Sequence, residues 1–409
     1  MLPLTLLSLA IWLGLLLGWG QFWRADQRLA PCQADRHTLE RWPAVGVVIP
    51  ARNEAAVLPR ALRSHLTQTY PGPLRILVVD DQSTDGTGDM ARQMAADLGQ
   101  SQRLTVLTGQ PLPPGWTGKL WAMEQGYRWL KDQEVANSFV ADSHAQGLPP
   151  TGRTTEEIDY VLFTDADIEH HPTNLQDLVL KAEQERLDLV SLMVQLRRET
   201  VWETLLIPAF VFFFQMLYPF PWVNDPGRKT AGAAGGCLLL RFTALGRIGG
   251  LDRIRNALID DCALGAAVKA GGPIWLGLTE TTTSLRAYPT LQSIWEMVAR
   301  TAYTQLRYSP WLLGGTVLGM GLVYLVAPVG LAAGMITGQG GLALAGALGW
   351  GLMALAYWPT LRLYHCSPLL SLALPGIALL YTLMTLDSAR RHWRGQGGAW
   401  KGRVYENLG

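Results

Sequence analysis

Asp165 and Asp167 stand on either side of a single alanine, one threonine beyond the apolar run Tyr160-Val161-Leu162-Phe163. Two carboxylates at i and i+2 of an extended chain point the same way. Such a pair repels itself unless a cation sits beside it. Hard oxygen ligands suit Mg2+ or Mn2+, and a substrate diphosphate is a natural second partner for that ion. An acidic solvated turn has the same pattern, so the neighbouring segments decide between the two. Asp80-Asp81 closes a second expected strand, Arg75 to Val79. Asp260-Asp261 opens an apolar helix, where the helix dipole favours a carboxylate and where a general base can also stand. Lys119 opens another helix after the Pro/Gly-rich loop 110–117, placed either to reach a phosphate or to be solvated in the first turn. His170 and His171 read as adjacent surface histidines and stay outside the metal set.

These residues need a frame that brings strand ends together. Val45 to Pro50, Arg75 to Val79, Leu104 to Leu107, Tyr160 to Phe163, Asp188 to Leu196, Cys237 to Arg241 and Pro273 to Leu278 read as strands. Helices are expected at 55–69, from about Thr87 to Leu98, from Gly118 to about Gln133, and at 173–186. Alternating strands and helices imply an α/β fold with a parallel sheet. Ligands in such sheets bind beyond the carboxyl ends of the strands, where Asp80, Asp81, Asp165 and Asp167 fall. Residues 138–157 read as a polar loop. Thr230 to Gly236 is small and glycine-rich, so its backbone can approach a ligand closely.

Charged residues make up only 16% of the 409 residues, below the usual share in soluble proteins, and hydrophobic residues make up 49%. That balance predicts a soluble domain joined to membrane segments. A net charge of +1 gives no footprint for nucleic acid, and none is expected as a partner. Cys32, Cys237, Cys262 and Cys366 form no C-x-x-C pair, so neither a zinc site nor a disulfide framework is indicated. The expected organisation is an N-terminal span over 1–23, a catalytic domain over 42–310, C-terminal spans over 311–387 and a basic tail over 388–409. Arg24, Arg28, Arg36 and Arg41 after the first span place the catalytic domain in the cytoplasm. Three C-terminal spans would leave the basic tail outside, so either one of them is re-entrant or the tail breaks the rule. Residues 201–222 would permit a further span, but a crossing there would put Asp165/Asp167 and Asp260/Asp261 on opposite faces of the membrane. An interfacial, amphipathic element is expected there, with a plain core helix as the alternative.

Taken together, the chain resembles a family 2 glycosyltransferase of the GT-A fold, and within it the bacterial hopene-associated glycosyltransferases, with ceramide glucosyltransferases more distant. The resemblance is carried by Val-Val-Ile-Pro-Ala-Arg-Asn-Glu at 47–54, Val-Val-Asp-Asp-Gln-Ser-Thr-Asp-Gly-Thr at 78–87, Asp-Ala-Asp at 165–167 and Asp260-Asp261, in that order. It implies that Pro50, Arg52 and Glu54 line a nucleotide base pocket and that Asp80 or Asp81 accepts from the base. It implies Lys119 near the diphosphate, Asp165 on the ribose or supporting the metal, and Asp167 on Mg2+ or Mn2+. Asp261 takes the place of the general base, with Asp260 beside it where the family has Glu. Gly235 and Gly236, with Arg300, Gln305 and Arg307, fall in the acceptor and diphosphate region. Thr304 and Tyr308 depart from the family's Gln-x-x-Arg-Trp motif, which favours transfer of one sugar to a lipid over a processive polysaccharide synthase. The implied protein is a multi-pass enzyme of the cytoplasmic membrane that uses a nucleotide-diphospho-sugar, probed against two other classes: a nucleotidyltransferase and a non-catalytic nucleotide-sugar-binding scaffold.

Overall fold

The computed structural model describes residues 1–29, 39–145, 157–395, 399–400 and 403–404, with side chains 134–145, 399–400 and 403–404 left aside. Cys32, Arg36 and Lys401 lie outside the described residues. Among the described residues the chain divides into two compact units, one within Arg28–Gln195 and Asn224–Arg286 and one within Met1–Gln27, Leu196–Val223 and Ala287–Asn407.

The first unit is built on an eight-stranded sheet. In chain order the strands are β1 (Val45–Ala51), β2 (Leu74–Asp80), β3 (Leu104–Thr108), β4 (Tyr160–Thr164), β5 (Ile168–Glu169), β6 (Leu189–Gln195), β7 (Cys237–Arg241) and β8 (Ile274–Ser284). Their order across the sheet is β3-β2-β1-β4-β7-β6-β8-β5. The first four run parallel, so β1, β2 and β4 end on the same edge. Strand β7 runs antiparallel to both β4 and β6, and β6 and β8 run parallel. Every residue of β1 and β4 is buried. That explains their continuous apolar runs, because a strand covered on both faces has no need to alternate.

The helix that starts at Gly118 lies on β1, and two glycines set the distance. A Cβ on Gly126 would lie 2.4 Å from Val48 Cγ1, and one on Gly46 would lie 2.6 Å from a Leu130 methyl. This helix runs to Ala145, not to about Gln133. Residues 127–145 contain neither glycine nor proline, so nothing in that polar stretch breaks the helix. Residues 146–156 of the expected loop lie outside the described residues.

The second unit is helical. Among the described residues, three helices have the length and composition to cross a membrane: Pro310–Thr337, Gly340–Leu363 and Pro368–Trp393. At 24 to 28 residues they reach about 36–42 Å at 1.5 Å per residue, against a hydrocarbon core of about 30 Å. Helix Leu2–Gly18 has 17 residues and is apolar all round. Its buried stripe is Thr5, Ser8, Trp12 and Leu16, while Leu4, Leu6, Leu7, Leu13 and Leu17 are exposed. An outer face more apolar than the inner one fits a lipid surround.

Helix Val201–Leu217 starts on a capping box between Thr200 and Glu203. It is packed into the core of the helical unit through Leu206, Ala209 and Phe212, together with Trp12, Tyr357 and Tyr381. The contacts thus group residues 196–223 and 287–310 with the C-terminal helices, whereas the sequence placed both stretches inside the 42–310 domain.

Candidate active site

The loops after β1 and β2 are laced together. Asn53 has a left-handed backbone (φ 50°), which asparagine tolerates better than most residues. Its side-chain oxygen accepts from the Thr84 N–H at 2.9 Å, and its own N–H donates to Ser83 Oγ at 3.0 Å. The Glu54 N–H donates to Thr87 Oγ1 at 3.0 Å and the Ala55 N–H to Asp85 Oδ2 at 3.0 Å. Asp85 also accepts from the Thr87 N–H at 3.1 Å, which opens the next helix. Arg52 donates to the Asp81 carbonyl at 2.6 Å and lies 3.7 Å from its fully buried carboxylate. Asp80 accepts from the Ser83 N–H at 2.9 Å. Pro50 is buried within β1.

The two acidic pairs meet across Lys119. Its ammonium lies 2.7 Å from Asp165 Oδ1 and 3.5 Å from Asp260 Oδ2. Burial pulls the lysine's proton affinity down, but Asp165, Asp260 and Asp261 outweigh it and the net shift is upward. Two loop bonds hold this helix start near the start of Asp260–Lys269. The Thr117 N–H donates to the Arg255 carbonyl at 2.9 Å, and buried Glu124 accepts from the Leu251 N–H at 3.0 Å.

Asp261 is held by backbone. Its Oδ2 accepts from the Gly235 N–H at 2.9 Å and its Oδ1 from the Cys262 N–H at 2.7 Å. Burial, and then the charge of Asp260, raise its carboxyl from 3.8 to about 6, against the pull of Lys119. The glycine loop is itself pinned. Ser191 Oγ accepts from the Ala234 N–H at 2.8 Å and Thr164 Oγ1 donates to the Gly236 carbonyl at 2.9 Å.

Asp167 is buried and held by a side chain that the sequence did not single out. Arg286 places Nε 2.6 Å from Asp167 Oδ2 and Nη2 3.0 Å from Glu54 Oε1. Burial, and then Asp165, shift the Asp167 carboxyl upward in spite of Arg286. His170 is a correction to the surface reading. It is buried, and its Nδ1 lies 2.8 Å from Asn174 Nδ2 and its Nε2 3.0 Å from Thr164 Oγ1. Because Thr164 donates to Gly236, the ring proton belongs on Nε2. Burial, and then His65 at 4.3 Å between ring centroids, hold this imidazole well below its usual value. His171 is exposed, as expected.

The structure therefore brings Lys119, Asp165, Asp260, Asp261 and Gly235 into one cluster, and Glu54, Asp167 and Arg286 into a second that shares the Asp165–Asp167 loop. Arg300, Gln305 and Arg307 belong to the helical unit, where Gln305 donates to the Tyr218 hydroxyl at 2.7 Å and Arg300 and Arg307 are exposed. Tyr308, standing where the motif has Trp, is stacked on His392 with ring centroids 4.3 Å apart.

A profile of the family described as glycosyltransferase like family 2 matches residues 43–303, well over half of the chain. The chain belongs to that family. This glycosyltransferase-like chain, with its Rossmann-like mixed sheet, has the GT-A fold. It is 38% identical over 93 residues to the probable glycosyltransferase YdaM of Bacillus subtilis, covering 22% of this chain and 21% of that one. It is 44% identical over 54 residues to the glycosyltransferase AglE of Haloferax volcanii, covering 13% and 18%. The chain thus spans about a fifth of the length of the curated relatives it matches. Among solved structures, the mannosyltransferase PcManGT of Pyrobaculum calidifontis, in complex with GDP-Man and Mn2+, matches at TM-score 0.49 and 17% identity over 95% of this chain and 99% of that one. The glucosyl-3-phosphoglycerate synthase of Mycobacterium tuberculosis, with Mg2+ and UDP, matches at TM-score 0.40 and 21% identity over 65% and 79%.

The donor set decides whether a divalent ion suits the site. Among the described residues no three His, Cys, Asp or Glu side chains are grouped as a ready metal site. Five carboxylates (Glu54, Asp165, Asp167, Asp260 and Asp261) nevertheless share the two cations Lys119 and Arg286. That excess of negative charge, on two buried carboxylates and three half-buried ones, with two of the carboxyls shifted upward, is chemistry that a hard divalent cation relieves. The residues fit the ion.

Proposed function

We propose that the protein is a membrane-bound glycosyltransferase that moves one sugar from a nucleotide-diphospho-sugar, UDP-linked in the first instance, to a lipid acceptor with inversion at the anomeric carbon. The observation that carries this reading is Lys119 between Asp165 and Asp260. It joins the acid pair suited to a diphosphate to the pair suited to a proton transfer.

On this reading Arg52, Glu54 and Asp81 receive the base, with Pro50 and Asp80 shaping the pocket beside them. Asp167, supported by Asp165, holds Mg2+ or Mn2+, which when bound supplies Lewis-acid stabilisation of the departing diphosphate. Lys119 adds a fixed positive charge on the same side. The acceptor hydroxyl oxygen bonds to the anomeric carbon as the bond from that carbon to the diphosphate oxygen breaks. The electron pair leaves with the nucleoside diphosphate, and Asp261 takes the hydroxyl proton. A carboxyl near 6 is ionised at neutral pH yet a stronger base than an ordinary carboxylate. The Gly235 and Cys262 N–H groups hold the carboxylate oriented for that transfer.

A lipid acceptor is supported by the composition of the helical unit, and a hopanoid-type polycyclic lipid by the sequence resemblance alone. A cytoplasmic placement of the catalytic domain is supported by the arginines after the first helix. The test is incubation of the full-length protein in detergent or nanodiscs with Mg2+ or Mn2+, a panel of nucleotide sugars and a lipid extract. A lipid gaining one hexose unit with release of nucleoside diphosphate supports the proposal. A ladder of added units would make the protein a polymer synthase, inorganic diphosphate release a nucleotidyltransferase, and binding without turnover a scaffold.

A further inference from the structure

We propose that Arg286 is an internal counterion of Asp167 that the donor's diphosphate draws off, so that metal and donor bind cooperatively. The proposal rests on the reading of Asp167 as the metal-holding carboxylate. Its own support is geometric. One planar guanidinium spans two carboxylates from different segments, Glu54 after β1 and Asp167 after β4. Arginine is suited to this because its donors form a rigid fork.

The two acids and the cation differ in what they are free to do. The side chains of Asp167 and Glu54 are 6% and 10% exposed, while that of Arg286 is 38% exposed. The guanidinium is therefore the member that can leave. Its backbone stays in place: the neighbouring Leu285 N–H donates to the Asp167 carbonyl at 2.7 Å, and the Arg286 N–H donates to Ser284 Oγ at 3.3 Å. Release is thus a rotation of one long side chain, with the strand end unmoved. Lys119 is different, because it sits between Asp165 and Asp260 with 20% exposure and has counter-charges on both sides.

A divalent ion on Asp167 and a guanidinium on the same Oδ2 oppose each other as like charges. A diphosphate offers the guanidinium an equivalent pair of anionic oxygens in bidentate geometry. Binding of either ligand then removes the obstacle to the other, and linkage makes the effect reciprocal. Arg286 is a positioning residue in this scheme: it sets when Asp167 becomes available.

The test is calorimetric titration of Mn2+ into the full-length protein, alone and saturated with UDP or GDP, for the wild type, Arg286→Gln and Arg286→Lys. The wild type should bind Mn2+ weakly alone and more tightly with nucleotide. Arg286→Gln should bind Mn2+ alone on the order of tenfold more tightly than the wild type, with little further gain from nucleotide. Arg286→Lys keeps the charge but cannot span both carboxylates, so it should fall between them, and it serves if the glutamine variant does not fold. A gain in metal affinity is not what a merely structural loss produces. Unchanged Mn2+ affinity in both variants, with Asp167→Asn still abolishing binding, would overturn the counterion role and leave the metal reading standing. No Mn2+ binding to any of the three proteins, with either nucleotide, would overturn both.

Discussion

Asp167 and Asp261 are each the second acid of a pair whose first acid, Asp165 or Asp260, is held by the shared Lys119. They part company in what answers their own charge. Asp167 faces the side-chain guanidinium of Arg286, which is more exposed than the carboxylate it covers. Asp261 feels the charge of Lys119 as well, but what grips its two oxygens is a pair of backbone N–H groups, from Gly235 and Cys262, which have nowhere to go. A side-chain cation can be exchanged for another cation, and a backbone donor cannot. One pair is therefore built to change partners and the other to stay still. A general base needs the second property, because its orientation towards the reacting proton must be fixed before the reaction.

The largest expected effect tests that assignment directly. Asp261→Asn should lower kcat by about 10²- to 10⁴-fold, the usual worth of a positioned base. Nucleotide and metal affinity, measured by calorimetry, should change little. Asp167→Asn should do the reverse, losing metal affinity first. If Asp261→Asn weakened Mn2+ binding and left turnover intact, the two acids would have to exchange roles.

Lys119→Met should come next. The methionine removes the charge common to both pairs and keeps much of the side chain's volume. Lys119 holds the Asp261 carboxyl down against burial and Asp260. Without it the acid limb of the pH–rate profile, expected near 6 in the wild type, should move to higher pH. At a fixed pH on the acid side, the rate should fall about tenfold if the limb moves up by a full pH unit. A rate loss with an unmoved limb would show that Lys119 serves the diphosphate side alone.

The same comparison shows what the sequence could and could not reveal. The parallel half of the sheet was legible because β1, β4 and the Ile76–Val79 stretch of β2 are buried, and their apolar residues follow one another without polar alternation. The acids were legible because each closes such a run or opens a helix. Their pairing through Lys119 was not, since residues 119, 165 and 260 become neighbours only through the sheet order. Arg286 carried no local signal: it is one arginine after a Thr-rich strand, and its role appears only when Glu54 and Asp167 lie within reach. His170 misled for the opposite reason. It looked like half of an exposed His-His pair, but β5 turns it inward against Thr164 and Asn174. The available clue was the i, i+2 spacing of His170 from apolar Ile168, which in a strand puts both on one face, and both are buried. The boundary between the units was missed because residues 196–223 sit in sequence between strands of the sheet but pack with the C-terminal helices.

A smaller effect should appear in stability. The Asp261 carboxyl is raised in the folded chain from 3.8 to about 6, so between those values the folded state binds more protons than the unfolded one. Stability from this group is therefore greatest below pH 3.8 and declines as pH rises towards 6. Asn at this position does not titrate. The difference in Tm between the wild type and Asp261→Asn should shift in favour of the variant as pH rises from about 4 to 6, and then level off. A difference that stayed flat across this range would mean that Asp261 is not raised, and with it would go the argument that burial and Asp260 prepare it as a base.

Gly235→Ala should have the smallest effect and separates position from stability. Gly235 is not among the residues with positive φ, so alanine meets no backbone strain. In a compatible backbone this substitution raises stability by about 0.4–1 kcal/mol through the unfolded chain. The added Cβ would lie 3.2 Å from Lys119 Nζ and 3.4 Å from Asp261 Oδ2. Lys119 is the end of a flexible side chain and gives way by a few tenths of an ångström. Asp261 is fixed by two backbone donors and does not. The lysine should therefore retreat slightly from Asp261, and the acid limb should move upward in the same direction as in Lys119→Met but by less. Turnover at neutral pH should fall a few-fold with Tm unchanged or slightly raised. Should Gly235→Ala instead alter Mn2+ affinity and leave the limb alone, the glycine loop would belong with the exchangeable pair, and the fixed pair would have lost the backbone donor that distinguishes it.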